Sequence, residues 1–78
     1  MRNYEFAVRQ WSLIKNVEAP FDVICLDVDK GMVYSSCDVF CSAESALHWI
    51  VNNGSSVENL NGWEFAGTKE NFEEFDND

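Results

Sequence analysis

The pattern of apolar and polar residues predicts a β-hairpin in the middle of the chain. From Phe21 to Val28, apolar residues occupy both odd- and even-numbered positions, as expected of a central strand that is covered on both faces. Asp29, Lys30 and Gly31 then form a turn, in which the glycine can adopt a positive φ. A second strand is predicted from Met32 to Cys41, and the short connection makes the pair antiparallel.

A helix is predicted to follow this hairpin. Ser42 is a good N-cap, Glu44 falls in the first turn, and Gly54 ends the helix after two asparagines. The apolar residues make one stripe at helical spacing, which should lie across a face of the sheet. This stripe consists of Ala43, Ala46, Leu47, Ile50 and Val51. His48 is expected to point away from the stripe, and Trp49 to lie on its flank.

The first segment, Asn3 to Lys15, fits two structures. Tyr4, Phe6 and Val8 alternate with polar residues as in a strand, whereas a second set of apolar residues follows helical spacing. The helical set is Tyr4, Ala7, Val8, Trp11 and Ile14. Aromatic and β-branched residues favour the strand, as does the lack of an N-cap before the segment. After Gln10 the apolar residues change from even- to odd-numbered positions, which predicts a bulge there.

The predicted fold class is α+β, an antiparallel β-meander with one helix packed on it. With a short last strand from Trp63 to Phe65, the order is βββαβ, or αββαβ if the first segment is helical. Residues 1–67 are expected to form a single domain, followed by an acidic C-terminal tail over residues 68–78.

Composition narrows the class of protein. With 46% hydrophobic residues, the 78-residue chain is too apolar to be disordered. Its apolar runs are much shorter than the about 20 residues that a membrane-spanning helix needs. Charged residues also interrupt the N-terminal segment where a signal peptide needs an apolar core. Three cysteines are an odd number, so packed, reduced thiols are expected rather than a disulfide framework or a zinc site.

One stretch, VICLDVDKG, has the pattern of a catalytic motif. It resembles the first motif of the haloacid-dehalogenase-like phosphatases, which implies a nucleophile at Asp27, a general acid/base at Asp29 and Mg²⁺ between them. The chain departs from that family at Gly31, where the family has Thr or Val. The next strand also begins too soon for the parallel crossover of that fold.

No other pattern predicts an active site. The spacing after Asp27 does not match an EF-hand calcium loop. His48, the single histidine, is expected to face away from the sheet and so from any thiol that it could activate. We therefore expect no enzymatic activity, no metal and no cofactor.

The charge distribution indicates the kind of partner. The net charge is −9, and residues 61–78 contribute six acids against one base. Direct binding of DNA or RNA would require clusters of lysine and arginine, which the sequence lacks. A membrane partner is not expected either, whereas a basic protein is favoured by charge complementarity.

The last ten residues, KENFEEFDND, concentrate five carboxylates around two phenylalanines. One helical turn would place both rings on the same side, where a basic partner could bind them. Alternatively, Phe72 docks on the domain and the last residues fray. The predicted contact surface comprises Asp27, Asp29 and Asp38 on the hairpin and Glu70, Phe72, Glu73, Glu74 and Phe75 in the tail.

In its small size, its acidity and its lack of catalytic patterns, the chain resembles phage-encoded inhibitors such as anti-CRISPR and anti-restriction proteins. Several of these inhibitors mimic nucleic acid. This resemblance implies a protein that binds and inhibits a nucleic-acid-processing enzyme in the cytoplasm of a host cell. An immunity or antitoxin protein that neutralises a basic nuclease toxin would follow the same charge logic. A third alternative is an accessory domain whose surplus aromatic residues form a self-interface. Both a monomer and a homodimer remain open.

Overall fold

The computed structural model describes residues 3–10, 20–70 and 72. In these residues the chain forms one antiparallel sheet of four strands and one α-helix. The elements are β1 (Tyr4–Gln10), β2 (Phe21–Asp27), β3 (Met32–Ser35), α1 (Ala43–Asn53) and β4 (Glu64–Thr68). The spatial order is β1-β2-β3-β4, so each strand pairs with its neighbour in sequence. This confirms the predicted α+β meander with one helix, in the βββαβ order.

Strand β2 lies between β1 and β3, and both of its faces are covered. On one face, Ile24 and Leu26 are buried with Val33 and Phe72. On the other face, Cys25 lies opposite Phe6 of β1, and the ring of Phe6 contacts Gly54 at the end of α1. The odd- and even-numbered apolar residues of β2 therefore pack in two separate layers, as their pattern predicted.

The ends of α1 agree with the sequence, but its buried side does not. Ser42 Oγ accepts a hydrogen bond from the backbone N–H of Ser45 at 3.2 Å, and Gly54 donates to the carbonyl of Ile50. Ala46 is buried as predicted, whereas Leu47 and Val51 are 52% and 80% exposed. The helix is rotated from the predicted stripe because Phe6 packs under its end and Trp63 packs against Trp49.

The strand predicted from Met32 to Cys41 is wrong beyond Ser35. The Ser35 hydroxyl accepts a hydrogen bond from the N–H of Cys37 at 3.2 Å, and Cys37 adopts φ 68°, which turns the chain out of the sheet. Phe40 then returns as an isolated bridge to Phe21. Cys37 and Cys41 consequently do not share a strand face.

Other boundaries shift by a few residues. The first segment is a strand from Tyr4 to Gln10, and the predicted bulge after Gln10 lies outside the described residues. The last strand runs from Glu64 to Thr68, which is longer than predicted. The packed part of the chain therefore reaches past residue 67. No helix in the described ranges is long and apolar enough to cross a membrane.

Candidate functional site

Asp27, one of the residues of the predicted contact surface, is buried in the structure. It is 7% exposed, and its Oδ1 accepts a hydrogen bond from the N–H of Lys30 at 3.3 Å. Its backbone carbonyl also accepts from the N–H groups of Lys30 and Gly31. Gly31 has φ 66°, as expected for a glycine at this position. Asp27 therefore holds the β2–β3 turn together, although the sequence placed it among the solvated charges.

Asp29 and Asp38 are both exposed, but they lie at opposite ends of the sheet. Asp29 is in the turn after β2, whereas Asp38 follows β3 and lies beside Pro20, near the start of β2. The seven residues of β2 separate these ends, a length of about 20 Å at roughly 3.3 Å per residue. The two carboxylates therefore cannot form one cluster.

The beginning of the tail is attached to the domain. The N–H of Lys69 donates to the carbonyl of Gly31 at 2.9 Å, which brings exposed Glu70 to the same end of the sheet as Asp29. Phe72 is 4% exposed and belongs to the hydrophobic core. Of the two alternatives for this ring, docking on the domain is the one observed. Glu73, Glu74 and Phe75 lie outside the described residues.

A partly buried ion pair takes one arginine out of the surface charge. Arg9 Nε and Nη2 donate to the two carboxylate oxygens of Asp22 at 3.1 and 2.7 Å. The Ser35 hydroxyl donates to the same carboxylate at 2.6 Å. Asp22 is buried, and such a bidentate pair with an added hydroxyl satisfies most of its acceptor sites.

The exposed charge of the described residues is strongly acidic. The described residues include nine acids, of which Asp22 and Asp27 are buried, leaving seven exposed (9 − 2). They include three bases, of which Arg9 pairs with Asp22, leaving two exposed lysines (3 − 1). The seven exposed acids are Glu5, Asp29, Asp38, Glu44, Glu58, Glu64 and Glu70.

Four aromatic rings form a continuous row across the helix-covered face. The ring centroids of Tyr4 and Phe6 are 6.5 Å apart, those of Phe6 and Trp63 6.2 Å, and those of Trp63 and Trp49 6.1 Å. All three pairs are tilted or edge-on, the arrangements that aromatic quadrupoles favour. Much of the aromatic surplus is therefore structural, and the row ends at a half-buried tryptophan on α1.

An open groove of about 480 Å³ lies where this row reaches α1. Trp49 and Phe40 provide its aromatic walls. Polar side chains from successive turns of the helix complete it, namely Glu44, Ser45, His48, Asn52 and Asn53. This groove was not predicted from the sequence, because Phe40 falls within the strand predicted from Met32 to Cys41. The sequence signal for the groove was an aromatic residue, Phe40, just before a helix that carries Trp49 among its polar residues.

Only one of the three thiols is packed as predicted, because Cys25 is buried whereas Cys37 and Cys41 are exposed. All three cysteines are free. Burial, with a smaller effect from Asp27, raises the pKa of Cys25 to about 12. Desolvation also raises the pKa of exposed Cys37, and the negative charge of Glu64 adds to this effect. In the part of the chain that the structure describes, no three His, Cys, Asp or Glu residues are grouped to hold a metal ion.

Comparison with protein-family models, curated proteins and solved structures found no match for this chain.

Proposed function

We propose that this protein is an inhibitor that occupies the basic surface of a nucleic-acid-processing enzyme. The observation that supports the proposal most directly is the exposed charge of the described residues, seven acids against two lysines. Such a surface attracts a basic partner over distance and repels nucleic acid and other anions. Occupation of the groove where the enzyme binds phosphates would block its substrate.

The arrangement of the acids favours an extended contact over a single pocket. Asp38 and the Asp29–Glu70 pair mark opposite ends of the sheet, and the remaining exposed acids lie on other elements. An enzyme that binds nucleic acid presents lysines and arginines along a groove, because phosphates recur along its ligand. Carboxylates spread over a rigid sheet match that pattern, with the acids of residues 73–78 as an addition.

The test begins with capture from bacterial lysate, followed by work on the captured enzyme itself. Two chains are compared, the full chain and a chain ending at Phe72. A truncation at Thr68 would remove a core side chain, whereas ending at Phe72 removes four acids and keeps the core. We expect an enzyme whose affinity falls steeply as salt rises, whose nucleic-acid substrate competes for binding, and which binds the shorter chain more weakly.

An affinity that is flat from low to high salt would contradict the proposal. So would an enzyme that binds this protein and its nucleic-acid substrate together without competition. If the chain ending at Phe72 binds as tightly as the full chain, the acids after that residue do not contribute and the contact lies on the described domain.

A second candidate function, an accessory domain that self-associates, is favoured by one exposed apolar patch. Phe65 is 62% exposed and packs edge-on against Tyr34, with Met32 on the same sheet face. Such a patch on a small protein is typical of an interface. A concentration-dependent dimer in sedimentation equilibrium that is lost in Phe65→Ser would support this candidate, and a monomer at all concentrations would refute it.

A further inference from the structure

We infer that the groove formed by α1 and Phe40 binds an arginine side chain of the basic partner. This inference rests on the proposed function, since it names the group that such a partner would insert. The groove combines aromatic walls, a carboxylate and amide oxygens, and none of its lining residues is lysine or arginine. That combination is suited to a planar cation.

The backbone positions that carry both aromatic walls are fixed before any ligand arrives. Phe40 is held by two backbone hydrogen bonds with Phe21, of 3.0 and 2.7 Å. Trp49 packs on Trp63, and its backbone carbonyl accepts a hydrogen bond from the side chain of Asn53 at 3.1 Å. Walls that are already ordered lose little conformational entropy when a side chain enters between them. A cation near these rings gains from their negative faces.

The carboxylate of Glu44 at one end of the groove and the negative end of the helix dipole at the other favour a cation. Glu44 lies in the first turn of α1 and supplies a carboxylate. Asn52 lies in the last turn, near the negative end of the helix dipole, and no basic residue is present in that turn to compensate it. An anionic ligand would meet repulsion at both ends. A guanidinium can bond the carboxylate and stack on a ring at once, which an ammonium does less well.

The experiment uses a capped Gly-Arg-Gly peptide as the probe and the full protein labelled with ¹⁵N. A peptide with citrulline in place of arginine has nearly the same shape without the charge, and a lysine peptide has the charge without the plane. We expect the arginine peptide to shift the amide signals of Glu44, Trp49 and Asn52 with a dissociation constant in the millimolar range. The lysine peptide should bind more weakly, and the citrulline peptide should cause no saturable shift.

A matched pair of variants locates the contribution of the groove. Glu44→Gln removes the carboxylate that lines it, whereas Glu58→Gln removes an equal charge from an exposed site that does not line it. We expect binding of the arginine peptide to weaken roughly threefold in the first variant, as for a partly exposed ion pair, and to be unchanged in the second. Both residues are exposed, so neither variant should unfold the protein.

Three results would overturn the inference. They are equal binding of the citrulline and arginine peptides, equal binding of the lysine and arginine peptides, and equal weakening by the two variants. The proposed function can fail separately. If the captured enzyme binds Glu44→Gln as tightly as the unchanged protein while its affinity still falls with salt, the inhibitor proposal stands and the arginine groove does not.

Discussion

Replacement of Phe72 by alanine tests whether the beginning of the acidic tail is part of the folded domain. The ring is 4% exposed and packs in the core with Ile24, Leu26 and Val33. The residues before it are tied to the β2–β3 turn through the hydrogen bond from Lys69 to Gly31. We therefore expect the substitution to destabilise the whole sheet rather than only to release the end of the chain.

The magnitude follows from the burial. Truncation of a buried phenylalanine costs about 3–5 kcal/mol, and less where the structure can close the cavity. We expect about 3 kcal/mol, the lower end of this range. A domain of this size is stable by roughly 4–12 kcal/mol, so this loss is a large part of the total.

The matched control is Phe65→Ala, the same chemical change at a ring that is 62% exposed. It loses the edge-on contact with Tyr34, so we expect about 1 kcal/mol. Urea unfolding followed by far-UV circular dichroism measures both variants. At a slope of roughly 1 kcal/mol per molar urea, their midpoints should differ by about 2 M. Equal midpoints would show that Phe72 is not a core residue and would refute the reasoning.

Two further predictions concern buried polar and thiol groups. Asp22→Ala should lower the free energy of unfolding by about 3 kcal/mol, because it removes the carboxylate that accepts two hydrogen bonds from Arg9 and one from the Ser35 hydroxyl. Exposed Asp29→Ala should change it by less than about 0.5 kcal/mol, and similar urea midpoints for the two variants would contradict this. The pKa of Cys25 is raised from 9.0 to about 12, so the unfolded chain ionises first and stability should fall as the pH rises from 9 toward 12. Cys25→Ala should reduce this alkaline loss, and in the folded protein a thiol reagent should modify exposed Cys41 well before Cys25; equal rates would exclude a buried thiol.

The sequence determined the elements whose signals are local. The turn at Gly31 and the N-cap at Ser42 each depend on a few adjacent residues, so a single sequence was sufficient to place them. The central position of β2 was also predicted from its own residues, because apolar side chains occupy both its odd- and even-numbered positions. Charge alone predicted the candidate acids that are exposed, namely Asp29, Asp38 and Glu70. It did not predict that Asp38 lies at the opposite end of the sheet from the other two.

Only the tertiary structure decided the features that depend on residues far apart in the chain. Phe6 and Trp63, which are both distant in sequence, pack at the end of α1 and against Trp49. Leu47 and Val51 are exposed although their spacing predicted a buried stripe. The end of β3 and the groove at Phe40 follow from the polar turn at Ser35, which is anchored by Asp22. A pattern of apolar and polar residues describes each segment by itself. It cannot show which distant side chain will cover a helix, pair with an arginine or fill the core.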